Sequence, residues 1–203
     1  MKTLFDIGFE KGLQYETVIT TKDHNGSTNA APIGVICKGK SKIMCRIFKG
    51  SKTLANILDT GRFTVNVLKD PSIFTQSTLS TINPSHLKKD MGIKCCDSYF
   101  TCTVNKFINA IKRSDPVNKS EAIVIQADVD KIVVRNDGET PFNRSFGRLI
   151  ESLINCNNFD LNPQYYSDRF KEARRVITKV GSKQEKESMN MIMKYLEERG
   201  FKI

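Results

Sequence analysis

The chain has no apolar run near the roughly 18 residues that a helix needs to cross a bilayer. Its first residues, Met1-Lys2-Thr3-Leu4-Phe5-Asp6, lack the long apolar centre of a signal peptide. A cytoplasmic protein is the resulting expectation. Its six cysteines form no C-x-x-C pair, and only His24 and His86 could supplement them. Tetrahedral zinc draws on paired ligands at short spacing, so no metal is expected. Cys37, Cys45, Cys95, Cys96, Cys102 and Cys156 are expected to be buried or free thiols in a reducing compartment, and Cys95-Cys96 is a pair that adjacent residues seldom bridge comfortably. There is no G-x-S-x-G, no H-E-x-x-H and no fully spaced P-loop, which leaves the catalytic residues unknown.

At 203 residues and 39% hydrophobic, the chain is long enough to bury a core as one full domain with an appendage. Its net charge of +10 attracts phosphate backbones in principle. The charge is spread along the chain, without a zinc finger, an RNP-like aromatic motif or a long basic helix, which disfavours nucleic acid as the partner.

Acid is missing where base is dense. Residues 25–58 contain no Asp or Glu but hold Lys38, Lys40, Lys42, Arg46, Lys49 and Lys52. Inside that field lies Asn29-Ala30-Ala31-Pro32-Ile33-Gly34-Val35, a strand-like segment of mostly small side chains, and then Gly50-Ser51-Lys52-Thr53, placed to open a helix. Small residues let a planar ring approach main-chain amides, and a helix N-terminus offers unpaired N–H groups to an anion. A flat ligand with a phosphate tail suits both. Small strand residues also serve close packing alone, and an acid-free stretch can be a solvated basic face.

Periodicity gives strands first and helices last. Strands are predicted at 15–21 and 28–38, joined as a hairpin by Asp23-His24-Asn25-Gly26, then at 42–48, 63–67, 100–111 and 122–135. In the third, Ile43, Cys45 and Ile47 alternate with Arg46 on the opposite face. A helix of about ten residues starts at Ser51 as N-cap, with Leu54, Ile57 and Leu58 on one face and Gly61 as C-cap. Asn66 is either a ligand contact or a polar strand position. Residues 68–99 read as irregular, with Phe74-Thr75-Gln76-Ser77-Thr78 as a loop and a turn at 136–138 closing the last strand. The charged loop 112–120 is expected to be exposed.

The last third is helical. One helix carries Phe146, Leu149, Ile150, Leu153 and Ile154 on one face. Another begins at Asn162-Pro163 and carries Tyr166, Phe170, Ala173, Ile177 and Val180, and a third starts from a Ser182/Glu185 capping box with Met189, Ile192, Met193 and Leu196 inside. The expected division is 1–140 and 141–203.

A hairpin, a third strand, Gly50-Ser51-Lys52-Thr53-Leu54-Ala55-Asn56-Ile57 and then Gly61-Arg62-Phe63-Thr64-Val65-Asn66-Val67 resembles the FMN-binding split β-barrel proteins, the flavin reductase and pyridoxamine phosphate oxidase-like group. Tyr15 to Thr21, Asn29 to Val35 and Arg46 to Thr53 are similar to an uncharacterised, largely archaeal branch of it. The resemblance implies an α+β chain: a split β-barrel of about six mostly antiparallel strands with a C-terminal helical appendage. It implies FMN held noncovalently at a homodimer interface, and an FMN-dependent oxidoreductase that takes its hydride from NAD(P)H or another donor. An FMN-binding electron-transfer protein without a dedicated substrate is the alternative.

Carried onto this chain, the resemblance makes Arg46 and Lys52 phosphate charges and Ser51 and Thr53 hydroxyl donors. Asn29, Ala30, Ala31, Ile33 and Gly34 become main-chain contacts to the ring. Gln76 or Ser77 is expected at the flavin edge, in a loop rich in hydroxyl and amide groups. Lys52 stands where the flavin reductases have aspartate, so their partner site does not carry over. The stripe Tyr166, Phe170, Ile177 offers surface that a dimer would hide.

Overall fold

The computed structural model describes residues 2–79, 82–111, 121–136, 140–156, 159 and 162–201. The loop expected at 112–120 lies outside them, as does all of the turn at 136–138 except Asn136. The chain divides into two compact units, Met1–Phe142 and Asn143–Ile203.

In the first unit, β1 (Gln14–Lys22), β2 (Thr28–Gly39), β3 (Lys42–Phe48), β4 (Arg62–Val67), β5 (Ser98–Ile111) and β6 (Glu121–Val134) form a closed barrel in the order β1-β2-β3-β6-β5-β4. Every pairing is antiparallel. Closure removes the sheet edges that would otherwise expose unpaired backbone groups. The β1–β2 turn is fixed by Asp23, whose carboxylate accepts from the Ser27 amide at 2.8 Å and whose carbonyl accepts from Gly26 at 3.0 Å.

Alternation sets the inside of the barrel. Ile43, Cys45 and Ile47 on β3 and Phe63, Val65 and Val67 on β4 are buried in one core with Phe100 and Ile125. Each such side chain contributes about 1.5–3 kcal/mol of apolar burial. Between β3 and β4 runs α1 (Lys52–Thr60), started by Ser51, whose Oγ accepts from the Leu54 amide at 3.3 Å, and ended by Gly61 at φ 64°. Leu54 and Ile57 of α1 join the barrel core, whereas Leu58 is 50% exposed, so the helical face is narrower than expected.

Residues 68–99 are more ordered than their sequence suggests. α2 (Pro71–Leu79) contains the whole Phe74–Thr78 stretch that was expected as a loop. Its start is built from Asp70, which accepts from the Ser72 amide at 2.8 Å, followed by proline in the first turn. Ser77 and Thr78 donate back to the carbonyls of Ile73 and Phe74 at 2.6 and 2.8 Å, local bonds that compete with regular helix and mask it in the sequence. Ile73, Ile82 and Ile93 of this segment pack with Val18, Ala30 and Tyr99 in a second cluster. Both faces of β4 are therefore buried, Thr64 and Asn66 included.

The second unit is made of α3 (Ser145–Cys156), α4 (Pro163–Val180) and α5 (Lys183–Glu198). Phe159, Phe170, Ile177, Met189 and Leu196 form its centre, and both halves of the Ser182/Glu185 capping box are present. Phe170 and Ile177 are each 1% exposed, so the stripe proposed as a dimer surface is consumed inside this unit. α3 does carry its large apolar residues on one face, and that face is largely exposed, with Leu149 at its buried margin. Ser145, Leu149, Ser152 and Cys156 are its buried side, while Phe146 is 61% and Leu153 47% exposed. Gly181 has extended backbone, and a Cβ there would meet the Ile177 carbonyl at 2.6 Å.

Candidate functional site

The site predicted from residues 25–58 rests on a change in β2. Its ladder with β3 runs over Val35–Gly39 opposite Lys42–Cys45 and goes no further, while its ladder with β1 continues from Ile36 to Thr28. Among the described residues, 28–34 thus pair on one side only. Ala31, Pro32, Ile33 and Gly34 are all half-buried, without the alternation that a strand covered on one face shows.

The N-terminal turn of α1 lies beside this strand. Asn29 Nδ2 donates to Thr53 Oγ1 at 2.8 Å, and Lys52 Nζ donates to Ser27 Oγ at 3.1 Å. Ser51 Oγ donates to the Phe48 carbonyl at 2.9 Å, and the Arg46 guanidinium lies 5.9 Å from the centre of the Phe48 ring. Three separate hydrogen bonds, Asn29–Thr53, Lys52–Ser27 and Ser51–Phe48, thus lie around the positive end of a helix, and Arg46 lies against Phe48. Ser27 and Phe48 are members of the arrangement that the sequence reading did not name. The turn carbonyl before an N-cap is a place where such partners are found.

The ring-contact residues divide. Ala30 is buried against Ile73, which brings α2 to the same strand. Gly34 has a packing explanation of its own, since a Cβ there would collide with the Gln14 amide nitrogen. Thr53 is 2% exposed, and its hydroxyl oxygen already accepts from Asn29.

Asn66, Gln76 and Ser77 are not brought into this group of contacts. Asn66 is buried on β4, donates to the Val18 carbonyl and to Thr20 Oγ1, both at 3.0 Å, and accepts from the Ile93 amide at 2.7 Å. Both amide hydrogens and the carbonyl are committed, which supports the strand reading of this residue. Ser77 is buried with its hydroxyl bonded to its own helix, and Gln76 is exposed on α2.

The six cysteines are free, and all but Cys95 are buried. Burial pushes the Cys45 thiol up to about 12 and Cys96 likewise to about 12, and drives Cys102 well above the usual thiol range. These groups stay protonated near neutral pH and supply no thiolate. No group of three or more His, Cys, Asp or Glu among the described residues is arranged to hold a metal, and no helix among them is long and apolar enough to cross a membrane.

A family model described as the N-terminal domain of a protein of unknown function, DUF447, matches residues 15–132. The chain belongs to that family. It is similar to an uncharacterized protein of Methanocaldococcus jannaschii, 27% identical over 192 residues that cover 89% of this chain and 97% of the relative. An FMN-bound protein of the same family from Methanosarcina mazei has a similar fold, with a TM-score of 0.54 and 24% identity over 94% of this chain and 98% of that one. Component B of nitrilotriacetate monooxygenase from Bacillus cereus aligns with a TM-score of 0.50 and 12% identity over 66% of this chain and 78% of its own.

Proposed function

We propose that this protein binds FMN and acts as a flavin-dependent oxidoreductase. The observation that carries the reading is the one-sided stretch of β2 at residues 28–34 beside the N-terminal turn of α1, in a chain of the family whose Methanosarcina mazei member is FMN-bound. The residues fit such a ligand. A half-buried strand of small side chains offers main-chain groups to a planar ring, and the helix terminus with Lys52 and Arg46 offers charge to a phosphate. Arg46 brings a planar fork and Lys52 a point charge.

Bound FMN supplies hydride or single-electron transfer, and the protein supplies position and exclusion of competing reactions. Asn29 orients the Thr53 hydroxyl, and Ser51 holds the first turn of α1 so that its amides face the same way. The barrel interior is filled by side chains, so the ring has its place outside it. One strand edge covers only one side of a ring, which supports a homodimer whose second copy covers the other.

Release of the ligand by acid, followed by mass determination, tests the cofactor: FMN supports the reading, and recovery of protein that takes up no flavin overturns it. Turnover of NAD(P)H by the yellow protein separates a reductase from an electron carrier. Light scattering at micromolar concentration with flavin bound tests the shared site, which a stable yellow monomer would rule out.

A further inference from the structure

A second cavity, of about 670 Å³, lies in the barrel unit and shares no residue with the proposed flavin site. It is walled by the end of β1 with Asp23 of the turn after it, Thr60 at the end of α1, the start of β4, β5, Asp130 of β6 and the segment Lys89–Met91. Its size suits a small organic ligand, for which sites of about 300–1,000 Å³ are usual. One wall is held rigidly. Thr20 donates to the Met91 carbonyl at 2.6 Å, Thr64 donates to the Asp90 carbonyl at 2.7 Å, and Tyr99 donates to Asp90 Oδ2 at 2.9 Å. Met91 takes φ 66°, the left-handed conformation that a residue with a side chain rarely adopts, and these bonds hold it there.

The charges around the cavity are of both signs but differ in their commitments. Asp23, Asp90 and Asp130 each use one carboxylate oxygen within the chain, Asp23 accepting from the Ser27 amide at 2.8 Å, Asp90 from Tyr99 and Asp130 from Thr103 at 2.8 Å. Each retains a second oxygen as an acceptor. The cationic heads of Lys22, Arg62 and Lys89 make no ion pair or hydrogen bond among the described residues. A polyanion would meet the carboxylates, and a neutral sugar would leave the cations unanswered. A ligand with one phosphate and several hydroxyls answers both sets, its phosphate toward Arg62 and the lysines and its hydroxyls donating to Asp90 and Asp130.

We propose that this cavity is a binding site for a phosphorylated polyol, either a free sugar phosphate or the ribose phosphate of a nucleotide. The test is calorimetric titration of the flavin-loaded full chain with ribose 5-phosphate, AMP, ribose and inorganic phosphate. Saturable binding of ribose 5-phosphate or AMP, with ribose and inorganic phosphate at least tenfold weaker, is expected. Tighter AMP identifies a nucleotide and tighter ribose 5-phosphate a free sugar phosphate.

Arg62 and Lys89 are exposed, so their replacement leaves the core intact. Arg62→Ala should weaken the organic phosphate by about tenfold, the usual order for one charge-assisted bond. Asp130→Asn should weaken ribose 5-phosphate while leaving inorganic phosphate unchanged or tighter, a split that a merely basic surface cannot give. Absence of saturable binding, equal affinity for inorganic phosphate, or indifference to both substitutions overturns the site. Flavin content is read separately by absorbance in each variant, so failure here is distinct from failure of the flavin reading.

Discussion

Two regions of the barrel use the same residue types in opposite ways. Beside α1, Asn29 and Thr53 meet at 2.8 Å where the β2–β3 ladder has ended, and the neighbouring strand residues remain half-buried. On β4, Asn66 meets Thr20 at 3.0 Å where the β1–β4 ladder is complete and a second layer of chain covers it. Asn29 of the first pair sits on a stretch of strand paired on one side only, and Thr53 on the helix beside it. The second turns all its polar capacity inward and fastens residues 88–93 to the barrel. An asparagine–threonine contact is thus no functional sign in itself; what differs is whether a further layer of backbone consumes the remaining groups.

The largest expected effect follows from removing the inward pair. Asn66→Ala leaves the Ile93 amide, a buried donor, without its acceptor, and abandons two further buried bonds. Stability should fall by about 2–4 kcal/mol, read from the midpoint of urea unfolding. Flavin affinity of the folded fraction should stay within about twofold. A large loss of flavin affinity without loss of stability would erase the distinction between the two regions.

The outward region should respond in the reverse order. Arg46→Ala or Lys52→Ala is expected to weaken FMN by roughly tenfold while leaving riboflavin little changed, because the charge faces the phosphate alone. For the exposed Lys52 stability should move by no more than about 0.5 kcal/mol, as for an ordinary surface change, whereas the half-buried Arg46, whose Nε is enclosed on β3, should cost more. Fluorescence titration with both flavins decides it, and equal losses would remove the phosphate from this end of α1.

The same contrast explains which parts of the molecule were legible in the sequence. Strict alternation identified β3 at residues 42–48, and Ser51 with Gly61 bounded α1, because each depends on neighbours within a few positions. Segment 74–78 was opaque. Its hydroxyls bond to its own helix and its apolar residues show little helical spacing, although Asp70-Pro71 carried a start signal that was available. The apolar face of α3 was legible from its spacing, but which side of the helix is buried was not, because Ser145, Ser152 and Cys156 pack with Leu149 inside the helical unit. The open edge of β2 is a property of where a ladder stops, which no single strand's sequence encodes.

Ser51 stands between structure and site, and two substitutions separate its roles. Ser51→Ala removes the cap that receives the Leu54 amide and should lower stability by about 1 kcal/mol. Ser51→Asp keeps an acceptor at the N-cap and should recover most of that loss. An added carboxylate beside Lys52 repels a phosphate, so the aspartate variant should bind FMN more weakly than the alanine variant. If both variants bind FMN equally, the phosphate does not approach the start of α1.

The smallest effect is confined to alkaline pH and belongs to the inward region. Burial first, and then the hydrogen bond to Asp90 and its charge, push the Tyr99 hydroxyl from its ordinary value of 10.0 up to about 12. The folded chain therefore favours the protonated, neutral phenol more than the unfolded chain does. Its contribution is fully present below about pH 10 and is lost as pH rises through about 12. Tyr99→Phe keeps the ring that lies against Gly92, where a Cβ would come within 2.8 Å of ring atoms, and removes only the titrating group and its bond. The variant should be less stable by about 1 kcal/mol at pH 8, and that gap should close as pH approaches 12. Urea unfolding at a series of pH values from 8 to about 12 measures the gap. A non-zero gap that stays constant would show that the phenol remains un-ionised throughout, and no gap at pH 8 would show that the Asp90 bond contributes nothing to holding residues 88–93 on β4.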